Sequence, residues 1–170
     1  MVSAEWDDAG VAWASGPWSL ELRGDEIAEL RFEGRRVLRS IRAVVRDRDW
    51  NTASWVIGAP EVGERMLRVP LRSEGYGSDI RGAIAVEVAG PDGLSVTFDA
   101  VSHSAFATNR TGLVVLHPPQ ASGAELAVRH PSGASSRTIF PVALSPHQPV
   151  FEIAGLAWED KGLSIDVSFV

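Results

Sequence analysis

Apolar and polar residues alternate along most of this chain with a period of two. In GLSVTFDA, Leu94, Val96 and Phe98 alternate with Ser95, Thr97 and Asp99, the pattern of a strand with one buried face. The preceding IRGAIAVEV places Ile80, Ile84, Val86 and Val88 in step, and Gly90-Pro91-Asp92-Gly93 between the two is turn chemistry, so the pair predicts a hairpin. The same reasoning pairs WSLEL with IAELRF around Gly24-Asp25-Glu26 and adds RRVLRSIRAVVR after Glu33-Gly34, an opening meander. Further on, AELAVRH and SRTIFPV flank Pro131-Ser132-Gly133, and GLSIDVSF alternates Leu163, Ile165 and Val167 with Ser164, Asp166 and Ser168. Residues 59–64 read as a loop. No window combines an i, i+3, i+4 apolar stripe with helix caps, and 16 glycines and 10 prolines punctuate the chain. The prediction is an all-β fold, an antiparallel β-sandwich of roughly ten or more strands, with residues 1–170 forming a single domain.

Composition narrows what such a domain does. With 170 residues, 45% of them hydrophobic, the chain is long enough for one sizeable core and short for two. A formal charge of −6 and no basic run beyond RFEGRRVLRSIR argue against nucleic acid or an anionic membrane as partner. The first residues carry neither a basic segment nor an unbroken apolar one, and nowhere do about 18 apolar residues follow one another; neither export nor a membrane span is expected. The absence of cysteine excludes disulfides and thiolate metal sites and is compatible with a reducing cytoplasm, the expected location. The sequon Asn109-Arg110-Thr111 then reads as incidental. The last strand is predicted to run to Val170 with no turn after it, which raises the expectation of an N-terminal domain in a longer protein.

Three places carry candidate chemistry. RAVVRDRDWNT gathers Arg46, Asp47, Arg48, Asp49, Asn51 and Thr52 around Trp50. Such a cluster suits a sugar, because an indole stacks on a ring while planar Arg, Asp and Asn groups offer bidentate hydrogen bonds to hydroxyls; it equally fits a solvated strand end with surface Arg-Asp pairs. The histidines are His103, His117, His130 and His147, three of them beside a proline at a strand end. His117 and His130 are the candidates for a general acid or base, against the alternative of a structural, partly buried role. Their spacing neither supports nor excludes a metal, and no metal or other cofactor is expected. In NRTGLVVLHPP, residues 109–119, parity puts Asn109, Thr111, Leu113, Val115 and His117 on one face and Arg110, Val114 and Leu116 on the other. Apolar residues on both faces predict a central strand covered on both sides, with Asn109, Arg110 and His117 polar at its ends.

The order VLRSIRAVVRDRDWNT, NRTGLVVLHP, VRHPSG, FPVALSPHQP resembles the N-terminal region of the D-apionate lactonase family and its uncharacterised bacterial relatives, from about Trp18 onward. The matching positions are Arg46, Asp47 and Trp50; Asn109, Arg110, Gly112, His117 and Pro118; His130, Pro131 and Gly133; and Ser145, Pro146, Gln148 and Pro149. Val150 stands where the family usually has Phe, and Thr111 where it often has a bulky apolar residue. The resemblance implies a bacterial enzyme of carbohydrate catabolism that hydrolyses a sugar lactone to its aldonate, with a downstream α/β barrel domain as partner. It transfers no catalytic residue to this chain.

Lactone hydrolysis needs an activated water, donors for the tetrahedral oxyanion and a proton for the leaving ring oxygen. His117 or His130 is the candidate for proton transfer, and Arg46, Asp49, Trp50, Asn109 and Arg110 are the candidates for holding a sugar lactone or aldonate. No Gly-x-Ser-x-Gly is present, which disfavours a serine-elbow esterase. Three readings stand: a sandwich domain of a sugar-lactone hydrolase, inactive alone; a galactose-mutarotase-like sandwich that acts on or binds carbohydrate itself; and a structural or interaction module.

Overall fold

A computed structural model describes residues 10–143 and 150–170. The described residues form fourteen strands, all paired antiparallel in three sheets, with two single-turn 3-10 segments between them. The all-β expectation holds, and no helix among them is long and apolar enough to cross a membrane. The chain divides into two compact units, Met1–Leu116 and His117–Val170, described in turn.

The first unit contains two sheets. One is built from β1 (Val11–Ser15), β2 (Trp18–Arg23), β3 (Glu26–Phe32), β4 (Arg35–Asp47) and β10 (Thr108–Leu116) in the order β1-β2-β3-β4-β10. The opening meander is therefore present, with β1 added ahead of it. The other sheet runs β5 (Val56–Ile57), β7 (Met66–Ser73), β8 (Ile80–Ala89) and β9 (Gly93–Ser102), with β6 (Glu61–Val62) also pairing with β7. The short β6 lies inside the segment expected to be loop, since Glu61 and Val62 pair with Arg68 and Leu67. Pro70 occupies the gap between the β5 and β6 pairings, a place where a strand tolerates a residue without an amide hydrogen.

Period-two patterning decides which faces are buried. Ile27, Ala43 and Val45 of the first sheet and Leu67, Val69, Ile84 and Val86 of the second are almost wholly buried, each Val, Leu or Ile among them being worth about 1.5–3 kcal/mol of transfer free energy. The sandwich is tied at its ends by polar contacts: the Trp13 indole N–H donates to the Gly63 carbonyl at 3.0 Å, and the Trp55 indole N–H donates to the Ala43 carbonyl at 2.8 Å. Trp55 also packs edge-on against Phe98, 5.7 Å between ring centroids.

One strand departs from expectation. β10 is not a central strand covered on both faces; among the described residues it closes the edge of its sheet and pairs with β4 alone. Leu113 and Leu116 stay exposed at 37% and 38%. A two-sided apolar pattern reports composition, and burial depends on what the topology lays over the strand.

The second unit is a four-stranded sheet in the order β12-β11-β13-β14, from β11 (Glu125–Arg129), β12 (Ser135–Ile139), β13 (Gly155–Asp160) and β14 (Leu163–Ser168). One face buries Leu126, Val128, Leu156, Trp158 and Ile165. On the other, the Arg129 guanidinium is bound to both carboxylate oxygens of Asp166 and, at 2.9 Å, to the Ser168 hydroxyl.

The β8–β9 hairpin leaves no room for a side chain at Gly82. A Cβ there would lie 2.1 Å from the Asp99 carbonyl oxygen and 2.6 Å from the Ala100 backbone, so relief requires the two strands to part. Gly82→Ala should lower stability by about 1–3 kcal/mol in urea denaturation, whereas a neutral or stabilising outcome would contradict this close approach.

Candidate functional site

The polar cluster of the first unit arises because β4, at thirteen residues, outruns its neighbour β3. Pairing between them ends at Glu26 opposite Arg42, so the last residues of β4 need new partners on that side. The chain supplies them by folding back. The Trp50 amide donates to the Asp47 carbonyl and the Asp47 amide to the Asn51 carbonyl, both at 3.1 Å. Pairing then continues through Arg46 opposite Thr52 and the Ala53 amide on the Val45 carbonyl at 2.9 Å. Arg48, Asp49 and Trp50 are thus a three-residue hairpin loop, whose third position adopts left-handed backbone and is ordinarily glycine.

Asp47 sets this loop. One carboxylate oxygen accepts the amides of Asp49 and Asn51 at 2.9 and 2.8 Å, and the other accepts the Asn51 side-chain amide at 2.9 Å. These bonds, that to the Asn51 side chain first, hold the Asp47 carboxyl below the usual carboxylate range. The loop's third residue is Trp50, at φ +68°. Left-handed backbone costs a residue with a Cβ about 1–2 kcal/mol. Trp50 nonetheless stays 52% exposed, so about half of the indole faces solvent. A bulky residue held in strained backbone on the surface is the kind of outlier from which function is argued.

Across the ladder stands Arg110, the pairing partner of Arg46. The two guanidinium carbons lie 5.7 and 5.8 Å from the Trp50 ring centroid, within cation–π range. A register shift between Thr108 and Arg110 leaves Asn109 out of the pairing, and the Thr108 hydroxyl donates to the Arg46 carbonyl at 2.9 Å, fixing the turn to β10. The Asp49 carboxylate makes a 3.4 Å ion pair with Arg48, both highly exposed. Among the described residues no carboxylate pairs with Arg46 or Arg110, and the Arg46 Nε is buried without an acceptor.

The structure therefore gathers Arg46, Trp50 and Arg110, with Asn109 at the bulge beside them. Thr108 was missed by sequence reasoning, being one residue ahead of the motif that drew attention. The role of Asp47 was legible in principle, because an Asp in a turn tends to accept the backbone amide two residues on, here that of Asp49.

The histidines belong elsewhere. His117, at the start of the second unit, packs against Phe140 and Trp158 at centroid distances of 4.7 and 5.2 Å. Its Nδ1 is buried without a partner, and burial pushes its pKa below the ordinary 6.5. His130 has both ring nitrogens engaged at 2.9 Å, one with the Glu152 carbonyl and one with the Ser136 hydroxyl, which fixes the ring beside its Pro131-Ser132-Gly133 turn. His103 follows β9, its amide donating to the Asp79 carbonyl. His147, with Ser145, Pro146, Gln148 and Pro149, lies outside the described residues. Among the described residues no three His, Asp or Glu side chains gather as a metal-binding group.

The family model described as D-apionate lactonase, N-terminal domain, matches residues 2–170. The D-apionate lactonase of Brucella anthropi is 32% identical over 152 residues, an alignment covering 85% of this chain and 25% of that protein. The chain thus spans about a quarter of the length of the curated relative it matches. No solved structure matches it.

Two outcomes follow from the geometry. Because Trp50 is in left-handed backbone, Trp50→Gly should be more stable than Trp50→Ala by about 1 kcal/mol in chemical denaturation, and the reverse order would contradict the loop conformation. The His117 prediction concerns pH. With the folded pKa lowered, the unfolded chain takes up the proton first, so stability falls as pH drops below about 6.5 and levels off once the folded form is also protonated. His117→Phe should flatten the dependence of denaturation midpoint between about pH 8 and about pH 5 relative to the parent; an unchanged slope would show that His117 does not contribute.

Proposed function

This chain belongs to the D-apionate lactonase N-terminal domain family, and from that membership we propose that it is the β-sandwich domain of an enzyme that opens a sugar lactone to its aldonate. The observation that carries the proposal is the family match along residues 2–170 combined with the chain's span of about a quarter of its relative. In this reading the sandwich is not catalytic alone, and chemistry belongs to a downstream domain, an α/β barrel, in a cytoplasmic bacterial enzyme of carbohydrate catabolism.

The side chains support a non-catalytic role. Ester hydrolysis needs a base or acid with a free nitrogen or oxygen in reach of the substrate. Both nitrogens of His130 are engaged within the chain, one by the Glu152 carbonyl and one by the Ser136 hydroxyl. His117 sits edge-on to Trp158 among aromatic side chains, an environment that suits packing. A second reading, a sandwich that binds carbohydrate in its own right, is favoured by the exposed Trp50 with its two arginines, and it is compatible with the first.

The expected outcome is that the 170-residue chain, folded by circular dichroism, hydrolyses D-apionolactone and related aldonolactones no faster than buffer does. A protein extending this sequence through the length of its relative should turn them over. Efficient hydrolysis by the chain alone would overturn the non-catalytic assignment, and an inactive extended protein would overturn the lactonase reading.

A further inference from the structure

We propose that Arg46, Trp50 and Arg110 form a binding site for the carboxylate of an open-chain sugar acid, and that the site distinguishes the aldonate from the neutral lactone. The inference rests on the functional reading above and adds the ligand class.

Three independent observations converge on these residues. The first is charge. Arg46 and Arg110 are directly opposed across the β4–β10 ladder, where like charges repel, and among the described residues neither has a carboxylate partner. Several other arginines of the same unit are paired: Arg42 with Asp25, Arg31 and Arg36 with Glu29, Arg68 with Glu61. The second is an orphaned donor. The Arg46 Nε is buried without an acceptor, a state that a ligand oxygen would relieve. The third is strain. Trp50 is held at φ +68° with half its surface open, which keeps a large π face beside the two cations at a conformational cost.

The chemistry that fits is an anion carrying C–H surface. Guanidinium groups bind carboxylates through paired N–H donors, and an indole face takes the C–H side of a polyol. Asn109, left out of the pairing by the bulge, adds an amide able both to donate to and accept from a hydroxyl. Hydrolysis of a lactone breaks the ring acyl C–O bond, adds the elements of water and, at neutral pH, releases a proton. The carboxylate exists only after ring opening, so a site built on two unpaired guanidiniums retains product and passes over substrate.

Calorimetric titration of the 170-residue chain with sodium D-gluconate and sodium D-apionate tests this, with D-glucitol as the neutral polyol and inorganic phosphate as the anion without a carbon chain. The expected result is saturable aldonate binding at least about tenfold tighter than glucitol or phosphate, weakened about tenfold or more by Arg110→Gln and by Trp50→Ala, and weakened by added salt. Arg110→Gln is the decisive variant, since its side chain is exposed and a folded protein is expected; Arg46→Gln is informative once near-ultraviolet circular dichroism matches the parent. In parallel, the Trp50 indole and Arg46 Nε–H resonances should shift with aldonate. Absence of saturable binding, equal affinity for glucitol, equal affinity for phosphate, or indifference to Arg110→Gln each overturns the proposal. These outcomes are separable from the functional reading, which stands or falls on lactone turnover by the extended protein whether or not this chain binds aldonate.

Discussion

Every feature of the polar cluster follows from one requirement: the backbone donors and acceptors at the end of β4 must be satisfied. A strand that continues past its neighbour exposes N–H and C=O groups that need partners. Here the chain answers locally, turning back at Asp47 so that residues 51–53 take the place that β3 has vacated. That choice fixes a three-residue loop, and the loop fixes a left-handed position at Trp50. Arg46 is placed by the same hydrogen bonds, and β10, on the other side of β4, brings Arg110 opposite it.

The loop shows where local turn chemistry stops explaining the sequence. Asp47 and Asn51 obey local turn chemistry, and their bonds would form with glycine at position 50 as readily as with tryptophan. Tryptophan is the element that local rules do not select. In the same loop, Arg48 and Asp49 form a highly exposed pair of little energetic weight. Residues that close the turn and residues that the turn only displays thus alternate within it.

Much of this was legible in the sequence because strand period and turn chemistry are local. The β8–β9 hairpin announces itself through Gly90-Pro91-Asp92-Gly93 and the alternation on both sides. Arg46 stood out in a polar cluster around the aromatic Trp50 and Arg110 as a polar strand end; the ladder pairs the two arginines, and the loop brings Trp50 to both. What alternation cannot carry is tertiary context. The apolar residues of β10 suggested a central strand, yet strand order places it at an edge. His117 looked like a polar stop at a strand end, yet Phe140 and Trp158, distant in sequence, give it an aromatic setting. The loop position of Trp50 was hidden for the same reason, since it depends on where β3 ends.

The position of β10 has a consequence for how this protein behaves in concentrated solution. A strand at the border of a sheet offers a template on which another chain can add, and border strands resist this when they are charged or irregular. β10 carries Arg110 and a register break at its start, followed by Leu113, Val114, Val115 and Leu116 with little charge among them. The guard against self-association is therefore concentrated at one end of the strand, in the same residues that present cations to solvent. Evolutionary drift that neutralised Arg110 would remove together a charge from that border strand and one of the two cations beside Trp50.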